Sequence, residues 1–264
     1  KQKRQLPVRH FYRSGEQPRT TGRYLSRVDC LQSRFNGALI TATMAEKHQV
    51  SMLCTRRPGI SEYMPVWRKM QAFTDRRSAQ AQDELWLLEH QPVYTLGMNA
   101  APEHVLDCGD IPVIPVDRGG QVTYHGPGQM IAYIMMDLRR RGMGIRQLVD
   151  ALEQSVIDWL AERNVTAQAR REAPGVYVDG AKIAALGLRV RRGCSYHGLA
   201  FNVDMDLEPF SRINPCGYEG LAVTQLSDLG MALSVDEVGD SWLPYLAAQL
   251  DYTVRSDGSG QFFK

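Results

Sequence analysis

Apolar and polar positions along the chain fall into runs whose periods predict interleaved strands and helices. From Tyr63 the period is helical: Tyr63, Trp67, Met70 and Thr74 share a face, with Arg68, Lys69 and Gln71 elsewhere. Glu84–Gly97 (ELWLLEHQPVYTLG) predicts a buried strand and then a turn at Gln91-Pro92. His90, at that turn, reads as a hydrogen-bonded loop residue in preference to a catalyst. Ile111–Val116 predicts a short strand punctuated by prolines. In Arg118–Gln129 (RGGQVTYHGPGQ), Val122 and Tyr124 alternate with Thr123 and His125, and Gly126-Pro127-Gly128 ends the run. By itself that describes a hairpin with a glycine-rich corner. Met130–Leu138 is almost wholly apolar, as expected of a central strand buried on both faces. Arg146–Arg163 is the clearest helix, with Leu148, Leu152, Val156 and Leu160 at core spacing. Val176–Val178 and Ala181–Leu186 flank Asp179-Gly180, a dipeptide suited to a type I′ hairpin turn. Leu199, Phe201 and Val203 mark a further strand. Ser234-x-x-Glu237 is a capping box before a helix with Val238, Trp242, Leu246 and Leu250 on one face.

Several strands, a few helices and no regular alternation of the two indicate an α+β domain, with topology left open. At 264 residues, 44% hydrophobic and 23% charged, the chain can bury a proper core. No apolar run approaches the roughly 18 residues of a membrane span. Five irregularly spaced cysteines without a C-x-x-C pair point to reduced thiols and a cytoplasmic setting. The net charge of +2 conceals an asymmetry. Residues 1–60 hold twelve Lys/Arg against three Asp/Glu, and the remainder holds 19 against 26. A basic head can be a nucleic-acid arm or a targeting segment, but this one lacks aromatic interleaving and a recognisable binding module.

The candidate chemistry lies in Pro174–Gly217. Lys182 follows the Asp179-Gly180 turn inside a small, apolar strand, and its alternation with Ile183 turns it towards the opposite face. Cys216 sits in the tight Pro215-Cys216-Gly217 turn. A nearby ammonium favours a thiolate, and a neutral amine can take the thiol proton, so the two residues suit an activated sulfur nucleophile. The residues alone leave another reading open, a buried structural cysteine and a solvated strand lysine. Backbone N–H groups around Gly217 or the 118–128 corner are candidate oxyanion donors. Cys194-x-x-His197 has no second pair at ligand spacing, which argues against a metal, and no G-K-[ST] phosphate loop is present.

The strings PGVYV-x-x-x-KI-x-x-LG-x-R, HGLA-x-NV-x-x-DL-x-x-F and INPCGY resemble the lipoyl (octanoyl) transferases of lipoate biosynthesis. RGGQVTYHGPGQ is similar to the acyl-pocket signature of the same family. The resemblance runs from about Met52 to the C-terminal helix. It implies an α+β domain of the biotin/lipoate protein ligase-like class, a mixed β-sheet with surrounding helices and an acyl-binding tunnel. Residues 52–264 are then the catalytic domain. Residues 1–51 are a basic, disordered or non-native extension, with a transit peptide as the alternative.

The implied activity moves an octanoyl group from octanoyl acyl carrier protein to a protein lysine through a Cys216 thioester, with Lys182 as the second catalytic residue. The acceptors are lipoyl domains of 2-oxo acid dehydrogenase complexes and the glycine-cleavage H protein. Substrate contacts are implied for Arg118, Gly119, Gly120, Gln121, Val122, Thr123, Tyr124 and His125, for Ala185, Leu186 and Gly187, and for Gly198, Leu199 and Ala200. Small side chains at 185, 187, 198 and 200 leave room for a medium-length acyl chain. The reading expects a cytoplasmic monomer with no cofactor, nucleotide, metal, nucleic acid or membrane. Arg139–Arg141 and Arg189–Arg192 are either docking surface for an acidic carrier or solvated charge. An ATP-dependent lipoate or biotin ligase of the same superfamily is the rival activity. It would use a lysine and an adenylate, and INPCGY speaks against it.

Overall fold

A computed structural model describes residues 51–256. The expected basic extension lies outside the described residues except for Ser51, which already belongs to the first strand. In chain order the elements are β1 (Ser51–Ser61), α1 (Tyr63–Arg76), β2 (Asp83–His90), β3 (Val93–Leu96), β4 (Val113–Pro115), β5 (Val122–His125) and β6 (Gln129–Met135). There follow α2 (Ile145–Ala161), β7 (Gln168–Ala169), β8 (Gly175–Val178), β9 (Ala181–Arg191), β10 (Cys194–Asn202), α3 (Val235–Leu250) and β11 (Tyr252–Ser256). Among the described residues the strands form an eight-stranded sheet, β11-β1-β2-β6-β10-β9-β8-β7, and a three-stranded sheet, β4-β3-β5. β1 is parallel to both its neighbours and the other pairings of the large sheet are antiparallel.

β6 is central and buried throughout, and its alternation assigns the two faces. Met130, Ala132 and Ile134 join Leu148, Leu152, Val156 and Leu160 of α2 and Val238, Trp242, Leu246 and Leu250 of α3 in the main core. Ile131, Tyr133 and Met135 join Val66 and Met70 of α1, together with Trp86, Tyr196 and Ala200, on the other face. Each fully buried aliphatic chain contributes about 1.5–3 kcal/mol by leaving water. The Ser234–Glu237 capping box is present at the start of α3. Asp179 and Gly180 both take positive φ, 47° and 87°, as a type I′ turn requires.

The expected turn at Gln91-Pro92 is present and leads from β2 in the large sheet to β3 in the small one. One connection differs from the sequence reading. The glycine-rich corner likewise carries the chain from β5 in the small sheet to β6 in the large one, so Val122–Gln129 is not a hairpin. Proline cannot donate to a ladder, and glycine permits the sharp change of direction. The small sheet is thereby held over one face of the large one. His90 is also not a loop residue: it ends β2, fully buried.

Asp83 ties these layers together at the start of β2. Its buried carboxylate accepts hydrogen bonds from Arg77 beyond α1, from Arg140 at 2.7 Å, from the Asp137 N–H at 2.9 Å and from the Tyr252 hydroxyl. Asp83→Ala should cost about 3–5 kcal/mol in urea denaturation, because it strands buried partners. Asp236→Ala, which removes one exposed partner of Arg57, should cost under about 1 kcal/mol.

Candidate functional site

On the α1 face of the large sheet, two cross-strand rows lack bulk where β9 and β10 cross it. Ala185 pairs with Ala200, which pairs with Ile131; Gly187 pairs with Gly198, which pairs with Tyr133. The missing side chains leave a narrow cleft of about 50 Å³, partly open to solvent. Its roof is β5 and the 118–121 loop. A Cβ at Gly187 would stand 3.0 Å from Arg118 Cδ, and the Gly119 N–H donates to the Leu188 carbonyl at 2.9 Å, so the loop lies directly on β9. Arg118 is anchored inward, donating through Nη2 to the Thr95 carbonyl at 2.7 Å and hydroxyl at 2.8 Å.

The cleft is lined by every residue that the family resemblance implied for substrate contact, except Gly119 and Tyr124. Tyr124 points to the other face of β5 and packs against Tyr94 and Phe210, ring centres 5.5 Å away in both cases. Tyr63, Ile131, Tyr133 and His197 also line the cleft and were not foreseen. Tyr63 reads as ordinary helix core and Ile131 and Tyr133 as ordinary strand core, because periodicity reports burial and not what the buried face encloses.

One side of the cleft is a layer of buried polar rings. His90 Nδ1 donates to the Ser61 carbonyl at 2.9 Å, which leaves Nε2 to accept from the Tyr133 hydroxyl at 2.8 Å. His125 Nδ1 donates to Gln129 Oε1 at 2.7 Å. His197, with a positive φ of 60°, presents Nε2 to Asp117 Oδ1 at 3.1 Å, and its Nδ1 has no partner among the described residues. Asp117 also accepts from the Tyr196 hydroxyl, from Trp67 Nε1 at 2.9 Å and from Gln71 Nε2 at 3.3 Å. Burial pushes the Asp117 carboxyl up, but the hydrogen bonds from His197, Tyr196 and Trp67 together hold it well below the usual carboxylate range. Trp67 was expected only as core; its indole N–H is what draws Asp117 in.

Cys216 is the middle residue of a single 3₁₀ turn, Pro215–Gly217, on the flank of the cleft. A Cβ at Gly217 would lie 3.3 Å from His104 Nε2 and 3.4 Å from the side chain of Gln121, which lines the cleft. The Gly217 N–H already donates to the Asn214 carbonyl at 3.0 Å and the Gly119 N–H to Leu188, so neither is an open oxyanion donor. Lys182 is buried on β9 at 3% exposure, while Ile183 beside it joins the main core. The Lys182 backbone brackets the chain just beyond Cys216: its N–H donates to Ala222 at 2.8 Å and its carbonyl accepts from Thr224 at 3.0 Å. Its Nζ donates to the Pro174 carbonyl at 3.3 Å and sits 5.2 Å from the centre of the Tyr177 ring. Among the described residues, no group of three or more His, Cys, Asp or Glu could hold a metal ion, and no helix is long and apolar enough to cross a membrane.

The buried histidines give the fold a pH dependence. Burial pushes His90 down to about 4 and His125 down to about 3, while either ring titrates near 6.5 once unfolded. A depressed histidine stabilises fully above the unfolded value and loses that contribution as pH falls through the folded one. Stability in urea should therefore decline from about pH 6.5 towards pH 3–4, with close to two protons taken up on unfolding through these rings. His90→Gln should flatten that slope; an unchanged slope would remove His90 from the account.

Comparison with known proteins fits this geometry. Residues 62–247 match the family described as the lipoyl protein ligase A/B catalytic domain. The chain is 66% identical over 185 residues to an octanoyltransferase of Thiobacillus denitrificans, an alignment covering 70% of this chain and 85% of that one. It is 56% identical over 205 residues to the octanoyltransferase of Pseudomonas fluorescens strain SBW25, covering 78% and 95%. In fold it is similar to lipoate-protein ligase A bound with ATP (TM-score 0.62, 17% identity, 79% of this chain and 88% of that one). It is also similar to the bipartite lipoate protein ligase of Thermoplasma acidophilum (TM-score 0.61, 18% identity, 79% and 86%). The α+β architecture expected from the resemblance is thus the one observed. The chain belongs to the lipoyl protein ligase A/B catalytic-domain family, and within it is an octanoyltransferase, an acyltransferase of protein lipoylation.

Proposed function

We propose that the chain transfers an octanoyl group from octanoyl acyl carrier protein to the acceptor lysine of lipoyl domains or of the glycine-cleavage H protein, through a thioester on Cys216. The observation that carries this reading is the placement of the Cys216 turn against Gln121 at the edge of the cleft, with the chain just beyond it laced to the backbone of Lys182. In the first step the Cys216 sulfur attacks the thioester carbonyl. A new C–S bond forms, the bond to the phosphopantetheine sulfur breaks, and that thiol leaves with a proton. In the second step the acceptor ε-amine attacks the acyl-enzyme, an amide forms, the amine loses its proton and the Cys216 thiolate is restored. The donor thioester already carries the activation, so the reaction requires no nucleotide and no metal.

Cys194 is a poorer candidate nucleophile, because burial pushes its thiol up and away from thiolate. Lys182 either stabilises the Cys216 thiolate as an ammonium or shuttles its proton as an amine. The second role is worth about 10²–10⁴-fold. The small residues on the cleft floor suit a flexible, unbranched chain. On the proposed docking face, Arg140 and Arg191 pair with Asp83 and Asp75, while Arg139, 3.7 Å from Asp137 and with its side chain 70% exposed, is the most accessible of the three to an acidic carrier.

Incubation with octanoyl carrier protein and no ATP should add one octanoyl mass, map to Cys216, and be released by hydroxylamine. Cys216→Ala should lose both adduct and transfer. Turnover that depends on ATP, or a Cys216→Ala protein at wild-type rate, would replace this reading with that of an adenylating ligase.

Lys182→Arg separates the two roles of the lysine. Arginine keeps the charge but cannot act as a base. The variant should retain iodoacetamide labelling of Cys216 at pH 7 while losing at least about 10²-fold in transfer if the proton role dominates. Retained transfer would assign Lys182 to charge stabilisation alone.

A further inference from the structure

The geometry points to Glu153 as a positioning residue for Lys182, acting through the Pro174–Gly175 peptide group. Glu153 is an acid on the core face of α2, 4% exposed, next to Leu152 in the main apolar cluster. An ionised carboxylate in such a place is strongly disfavoured unless it is held by donors and cations. One oxygen accepts the Gly175 N–H at 2.8 Å. The carbonyl at the other end of the same peptide unit, that of Pro174, accepts Lys182 Nζ at 3.3 Å. A single peptide group therefore joins the acid to the ammonium, its N–H facing one and its C=O facing the other. Its dipole is aligned favourably with both charges.

The residue types at the bridge fit this role. Gly175 adopts φ +150°, and a Cβ there would stand 2.6 Å from the Ala184 carbonyl and 3.0 Å from Lys182 Cε. Any side chain at 175 would displace the lysine. The charged groups around the acid are Arg146 and Asp150 on α2 itself and Lys182 on β9, with the Tyr177 ring of β8 beside the ammonium. Burial raises the Glu153 carboxyl, while the Gly175 N–H, Arg146 and Lys182 pull it back. No assignment from sequence reached Glu153, because it sits between apolar positions of the α2 pattern and reads as a stray polar residue.

This inference rests on the reading of Lys182 given under Proposed function, and the experiment keeps the two apart. In the full chain, kcat/KM for octanoyl transfer and the side-chain ¹⁵N titration of Lys182 are measured against pH for wild type, Glu153→Gln and Glu153→Asp. Removing the negative charge disfavours the ammonium. The pH limb governed by Lys182, and its ¹⁵N titration, should both move to lower pH by about one unit in Glu153→Gln. Glu153→Asp keeps the charge and should stay near wild type. Should Glu153→Gln fail to fold, Glu153→Met carries the same test, since apolar replacements of buried charges often fold well. An unmoved Lys182 titration in a folded Gln or Met variant, or an equal shift in Glu153→Asp, overturns the assignment. If Lys182→Ala transfers at wild-type rate, the catalytic reading of Lys182 fails instead, while the ¹⁵N titration still decides whether Glu153 holds it.

Discussion

The site depends on a deficit of side-chain volume. Where β9, β10 and β6 run side by side, Ala185, Ala200, Gly187 and Gly198 present almost nothing to the α1 face. An ordinary sheet would fill that space with branched residues and close against a second layer. Here the three-stranded sheet lies over these rows, and the gap they leave is the cleft. The same deficit lets the 118–121 loop lie on the β9 backbone, with the stem of Arg118 occupying the space over Gly187. Cleft and roof have one cause.

An open space under a loosely supported roof would collapse unless its walls were rigid, and the rigidity comes from polar groups. Thr95 receives Arg118, Asp117 receives four donors from α1 and β10, and His90 and His125 are each fixed through Nδ1. A buried donor without a partner costs about 1–3 kcal/mol, so moving any of these groups is penalised at several positions at once. The network thus holds the cleft in shape. It also leaves His197 Nδ1, a polar atom in a residue that lines the cleft, without a partner among the described residues.

What was legible in the sequence follows the range of the interactions. Both long helices, the Ser234–Glu237 cap, the Asp179-Gly180 turn and the fully buried β6 are local features, and each appears where the pattern put it. The two transfers between sheets were not legible. Gln91-Pro92 reads only as a turn and Gly126-Pro127-Gly128 as a hairpin corner, and the pairing partners, far away in sequence, are what distinguish a corner from a change of sheet. Most of the cleft lining came from the family resemblance and not from periodicity. Alternation placed Tyr124 on the Val122 side of β5, yet it could not say that Tyr124 meets Phe210 while Val122 reaches the cleft. Asp117 and Glu153 escaped both routes, because a lone acid carries no pattern.

The kinship in fold to a ligase bound with ATP narrows what distinguishes this chain. A ligase must generate its activated acyl group, whereas a transferase on the proposed reading receives one as a thioester. In this chain the stretch just beyond the Pro215–Gly217 turn is joined to the β8–β9 hairpin by the hydrogen bonds that the Lys182 backbone makes to Ala222 and Thr224. That coupling bounds the turn on the β9 side, while on the other the Asn214 N–H donates to the His104 carbonyl and the side chains of His104 and Gln121 lie close to Gly217. On the proposed reading, a thiol carried on a turn bounded on two sides needs little reorganisation before attack, which lowers the entropic part of the barrier. Because the Gly217 and Gly119 amides are already committed, stabilisation of a tetrahedral oxyanion on the proposed reading requires donors other than these two.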